Sequence, residues 1–156
     1  MTMFCYQCEQ TAKGTGCTAH GVCGKDPETA ALQDLLVHVA EGVSQYAHGA
    51  RQLGVIHRAA DRFVVEALFV TVTNVDFDPT RVAEVIRRGA ALRDEVAQVY
   101  RSACQKAGQP PKDLASEAAV VPSEDLDEMI RQGEKVTIQN RIDALGRSTV
   151  QRFRAK

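Results

Sequence analysis

DPETAALQDLLVHVAEGVSQYAHGARQLG, residues 26–54, carries Leu32, Leu35, Leu36, Val39, Val43, Tyr46, Ala47, Ala50 and Leu53 at three- and four-residue steps. That spacing predicts one apolar stripe on a helix of about six turns. Asp26 offers a carboxylate to the free N–H groups of the first turn, and Pro27 has no N–H to leave unsatisfied there. Gly54 reads as the stop.

Working outward toward the C-terminus, Asp61 reads as the cap of a second helix over 62–74. Its Phe63, Val64, Ala67, Leu68, Val70 and Val72 spread apolar surface around the circumference, as expected of a central element. The β-branched run from Val70 to Val75 leaves a strand as an alternative. Residues 74–78 form a connection, after which Asp78 and Pro79 open a third helix to about Ala107, with Val82, Val85, Ile86, Leu92, Val96, Val99 and Tyr100 on one face. Gln109, Pro110 and Pro111 break it, and residues 112–122 show little periodicity. Ser123 reads as the cap of a fourth helix to about Gln132. Ile138, Ile142, Leu145, Val150 and Phe153 predict a last helix over 136–153. The expected fold is all-α. It is an antiparallel bundle of three main helices over 27–107, with a cysteine-rich loop over 1–26 and a linker with shorter helices over 108–156, forming one domain.

The 156-residue chain has a formal charge of −1, so no whole-molecule field favours nucleic acid or an anionic membrane. The basic group Arg147, Arg152, Arg154 and Lys156 reads as a solvated end. No apolar run is long enough for a membrane span and no secretory leader is legible, so a cytoplasmic protein is expected. In that reducing compartment clustered cysteines point to metal or redox chemistry before disulfides.

Working outward toward the N-terminus, four of the five cysteines fall as Cys5-x2-Cys8-x8-Cys17-x5-Cys23. Four thiolates are the usual complement of an iron–sulfur centre, and Gly14, Gly16, Gly21 and Gly24 supply backbone that turns tightly around such a group. The rival metal is zinc, whose all-thiolate sites usually set two close pairs about a longer insert; here the second pair is wide and the insert short. The spacing favours an iron–sulfur cluster, [4Fe-4S] or [2Fe-2S], over zinc. Thr11, Thr15 and Thr18, with the amides near Gly14, Gly16 and Gly24, are candidate donors to the sulfurs. His20 reads as a bystander of the four thiols, His38, His48 and His57 as ordinary surface or half-buried histidines, and Cys104 as a buried, inert thiol. Glu124, Asp125, Asp127 and Glu128 read as partners of a helix dipole. No nucleophile–base pair or phosphate loop is present.

The run MFCYQCEQTAKGTGCTAHGVCGKDPETAALQDLL, residues 3–36, resembles the start of the hybrid cluster protein family, also called prismane proteins or hydroxylamine reductases. A looser likeness continues through FVVEALFVTVTNVDFDPTRV, residues 63–82. The resemblance implies that Cys5, Cys8, Cys17 and Cys23 hold a cubane [4Fe-4S] cluster on a helical platform. Members of the family are far longer and bind a second, reactive cluster through a histidine, glutamates and cysteines of later domains. Those domains are not in this sequence, so the resemblance transfers the first cluster and withholds the catalysis. The ending STVQRFRAK differs from the family's continuation and suggests a natural short chain over a cut piece. The resulting expectation is one-electron transfer with a redox partner protein, and self-association to cover apolar surface. Sensing of oxygen or nitric oxide, or service as a piece of a hydroxylamine-reductase-like enzyme, are the alternatives.

Overall fold

In a computed structural model, residues 3–73, 77–137 and 140 are described, and among them the architecture is all-helical: α1 Pro27–Gln52, α2 Arg58–Val72, α3 Pro79–Lys106 and α4 Leu126–Lys135, with short 3-10 turns at Ala12–Gly14 and Ser116–Ala119. Most of the helix predicted over 136–153 lies outside the described residues. The side chain of Asn140 donates to the carbonyls of Glu134 and Lys135 at the end of α4.

Both aspartate caps expected for the long helices are in place. Asp26 Oδ1 accepts from the Thr29 amide at 2.7 Å, Asp78 Oδ1 accepts from that of Thr80 at 2.9 Å, and a proline follows each. Two other caps differ from expectation. α2 starts at Arg58, and its first turn is closed by His57, whose Nδ1 accepts from the Ala60 amide at 3.2 Å. Asp61 instead pairs with Arg51 at 2.7 Å, tying the new helix to the end of α1. Likewise α4 is capped by Asp125, which accepts from the Glu128 amide at 2.8 Å, while Ser123 takes the Asp125 amide one step upstream. In each case the group nearest the first free amides won, and the residue picked from sequence is held in another bond.

The central helix is α1, not α2. Leu32, Leu35, Leu36, Val39 and Val43 are fully enclosed, and α1 packs against α2, α3, α4 and the Ser116–Ala119 turn. Each such aliphatic side chain contributes roughly 1.5–3 kcal/mol on burial. α2 is peripheral: it buries Ala60, Phe63, Ala67 and Thr71, a narrow stripe, and leaves Val65, Leu68, Phe69 and Val72 on its outer face. Val70 to Val72 are helical, which removes the strand alternative for those residues.

The segment between α3 and α4 is bound to the bundle by its backbone. Buried Arg93 reaches the Val120 carbonyl, the Tyr100 hydroxyl accepts from the Lys112 amide at 3.0 Å, and Gln132 Nε2 donates to the Val121 carbonyl at 3.0 Å. α4 then lies directly on α1 at Gly133, where a Cβ would fall 2.1 Å from the Ala31 carbonyl oxygen. No helix among the described residues is long and apolar enough to cross a membrane.

Candidate metal centre in the cysteine loop

The loop before α1 is closed by a short antiparallel pairing of Cys5 with Cys17. The Cys5 amide donates to the Cys17 carbonyl at 3.0 Å, the return bond is 2.9 Å, and the Met3 amide reaches the Thr18 carbonyl at 3.1 Å. Two residues that exchange both bonds stand about 5.5 Å apart at Cα, so Cys5 and Cys17 face one another across the loop. Met3 and Cys17 are buried against Ala30 of α1, which seats the pairing on the bundle. Between them, Gly16 has φ +134, and a Cβ there would meet the Phe4 ring at 2.5 Å, so the return of the chain to Cys17 needs glycine for conformation and for space.

Cys8 lies on the outward arc of the loop, its carbonyl accepting from the Thr11 amide at 3.2 Å. Cys23 sits in the turn held by the Gly21 amide on the Lys25 carbonyl, 2.8 Å, with its sulfur 3.1 Å from where a Gly21 side chain would begin. The thiols of Cys5, Cys8, Cys17 and Cys23 are all free; Cys17 is buried and the other three are partly exposed.

Two features of the surroundings favour negative sulfur. Backbone hydrogen bonding from Ala12 and Val22 holds the Cys17 thiol below the ordinary range, with the Lys25 charge adding to the effect and burial opposing it. Lys25 is 1 % exposed, and its ammonium lies 3.7 Å from Cys5 Sγ, 3.3 Å from Gln7 Oε1 and 3.4 Å from the Thr71 carbonyl of α2. A buried ammonium is costly unless something anionic and several dipoles surround it. A metal–thiolate group carrying net negative charge fits that position. Among the described residues no cysteines form a set of three ligand atoms within 4.8 Å of one another.

The hydrogen bonding to Cys17 comes from Ala12 and Val22, two residues before Gly14 and Gly24, and the glycines' own amides are not the sulfur donors. Those of Gly14, Gly16 and Gly24 close turns onto the carbonyls of Thr11, Ala12 and Gly21, and the Thr15 hydroxyl donates to the Ala12 carbonyl. Which amides near the glycines serve Cys17 was not legible, because nothing in an alanine or a valine advertises where its amide points. Lys25 was missed too; its only sequence signal is a lone cation just after the last of the four loop cysteines.

The other candidates fall elsewhere. His20 is exposed, and His48 is exposed beside Gln52 at 2.9 Å. His57 caps α2 and reaches Glu95 at 3.2 Å. Cys104 is buried at 2 % exposure against Ala50 and Tyr100. Asp125 caps α4, and Glu124 and Glu128 pair with Arg87 and Arg131.

Comparison with known proteins shows the family of the chain. The chain is 46% identical over 144 residues to a hydroxylamine reductase of Rhodospirillum rubrum, covering 92% of this chain and 26% of that protein. It is 49% identical over 142 residues to one of Methanocella arvoryzae, covering 91% and 25%, and 51% identical over 96 residues to one of Desulfitobacterium hafniense, covering 62% and 18%. The chain thus spans about a quarter or less of the length of these relatives. Residues 3–152 match the Prismane/CO dehydrogenase family, and the chain belongs to that family.

Proposed function

We propose that this chain holds one [4Fe-4S] cluster on Cys5, Cys8, Cys17 and Cys23 and passes single electrons to or from a partner protein. The observation that carries the reading is the set of four free thiols on one short loop, with Cys5 Sγ 3.7 Å from a buried lysine that needs an anionic neighbour. Such a cluster supplies a one-electron couple and, with a thiolate on every iron, no open position for substrate. The chain's own residues set the conditions. Lys25 offsets negative charge beside Cys5, backbone hydrogen bonding from Ala12 and Val22 lowers the pKa of Cys17, and Met3 and Ala30 shield the Cys17 side from water. The partly exposed side, with Cys8 and Cys23, is the face through which a redox partner would approach.

Anaerobic reconstitution tests the proposal. About four irons and four sulfides per chain are expected, with a reduced-state electron resonance signal. Serine at any of the four positions should lower the iron content, and serine at Cys104 should not. Stoichiometric zinc without sulfide, or a Cys5–Cys17 disulfide in oxygen-free material, would overturn the reading.

A second reading is favoured by the lengths of the relatives, of which this chain covers only 26% and 25%. In it the same platform serves a hydroxylamine-reductase-like enzyme whose reactive centre lies on other polypeptide. Co-purification with such a polypeptide supports it, and a complex of this chain with itself alone counts against it. Cluster lifetime and assembly state compared in air and under argon separate both from a sensing role.

A further inference from the structure

His38 and Glu41 stand one turn apart on α1, and the Ser116–Ala119 turn brings Glu117 to them from a distant part of the chain. One ligand atom from each of the three lies within 4.8 Å of the others, with His38 Nδ1 4.0 Å from Glu41 Oε2.

The approach is built into both segments. A Cβ on Gly42 would fall 2.3 Å from the Glu117 carbonyl oxygen, so the turn can rest on α1 only because that residue is glycine. Gln45, on the same side of α1, fixes the turn at two points. Its Nε2 donates to Glu117 Oε2 at 3.2 Å, and its Oε1 accepts from the Ala115 amide at 2.9 Å. His38 is 9 % exposed, whereas the Glu41 side chain keeps 33 % of its surface and leaves an entrance.

We propose that His38, Glu41 and Glu117 bind a divalent transition-metal ion, separate from the cysteine centre. One imidazole nitrogen and two carboxylate oxygens form a donor set that suits zinc, ferrous iron or manganese. Two carboxylates and a neutral imidazole sum to two negative charges, which a divalent ion balances. Bonds of about 2.1 Å place tetrahedral donors roughly 3.4 Å apart, so the 4.0 Å His38–Glu41 separation closes by only about 0.6 Å on binding, a change that rotation of the glutamate side chain supplies. Three protein ligands leave a position for water. The bound ion would clamp the segment between α3 and α4 onto the central helix. The competing arrangement is metal-free: an imidazolium held between two carboxylates.

The test uses manganese, because thiolates of the cysteine loop compete strongly for zinc and weakly for manganese. The full chain is titrated with Mn2+, and free ion is read from its electron resonance amplitude. One Mn2+ per chain is expected, displaced by zinc. Glu117→Gln and Glu41→Gln should each weaken binding by roughly tenfold or more, and Glu124→Gln, at the start of α4, should leave it unchanged. Absence of Mn2+ uptake at millimolar ion, or uptake that both Glu117→Gln and Glu41→Gln leave intact, overturns the proposal and leaves the imidazolium pair. Because the cysteines are intact throughout, either result is independent of whether the cluster is of the iron type.

Discussion

Replacing Lys25 by methionine removes a buried charge while keeping most of the side-chain volume, and the two consequences have opposite characters. In the metal-free chain the ammonium is enclosed at 1 % exposure, and its partners are one thiol, one amide oxygen and one carbonyl. Dehydrating that charge offsets most of what the contacts return, so Lys25→Met should change unfolding free energy by no more than about 1 kcal/mol in either direction. In the loaded protein the charge faces electron density on the sulfur. Unit charges 3.7 Å apart interact by roughly 4 kcal/mol at an effective dielectric of 20. An electron shared over several irons sits farther off, about 6 Å, which reduces the figure to roughly 3 kcal/mol. For one electron about 1.4 kcal/mol corresponds to 59 mV, so the expected shift is on the order of 100 mV. Its sign is negative, since without the cation the added electron is less stabilised. The assays are urea unfolding of the metal-free chain and anaerobic potentiometry of the loaded one. A potential unmoved within about 20 mV, well under the Coulomb figure, or moved upward, would refute the assignment of Lys25 as the charge that faces the centre.

Two further outcomes follow from the packing. Gly133→Ala would place a methyl 2.1 Å from the Ala31 carbonyl oxygen and push α4 off α1; overpacking of about 1–3 kcal/mol outweighs a helix-propensity gain of up to ~1 kcal/mol, so thermal unfolding should fall by a few degrees, and a rise would show that the helices part freely. The outer face of α2, with Val65 at 70 % and Phe69 at 60 % exposure, is expected to drive self-association; sedimentation should show an oligomer that Val65→Ser with Phe69→Ser reduces to monomer, and a wild-type monomer at micromolar concentration would count against it.

Much of the fold was legible because its signals are local. The α1 stripe, the Asp26-Pro27 and Asp78-Pro79 starts and the break at Pro110 each operate within a few residues, and all are present. The cysteine set was legible for the same reason, since its spacing confines the four thiols to one short loop before any long-range contact forms. The caps at His57 and Asp125 were less so: several polar residues near each helix start compete, and the outcome depends on which side chain a neighbour such as Arg51 draws away.

The sequence by itself therefore determined the helices, their approximate ends and the ligand-rich loop, because hydrogen-bonded turns and periodic apolar spacing are properties of nearby residues. Only the tertiary structure decided that α1 and not α2 sits at the centre, that Lys25 is sealed beside Cys5 against the Thr71 carbonyl, and that Glu117 meets His38. An apolar stripe states that a face will be covered and does not state by what. The partner is chosen by which surfaces approach closely enough, and here glycines at 42 and 133, remote in sequence from the segments they admit, made that choice.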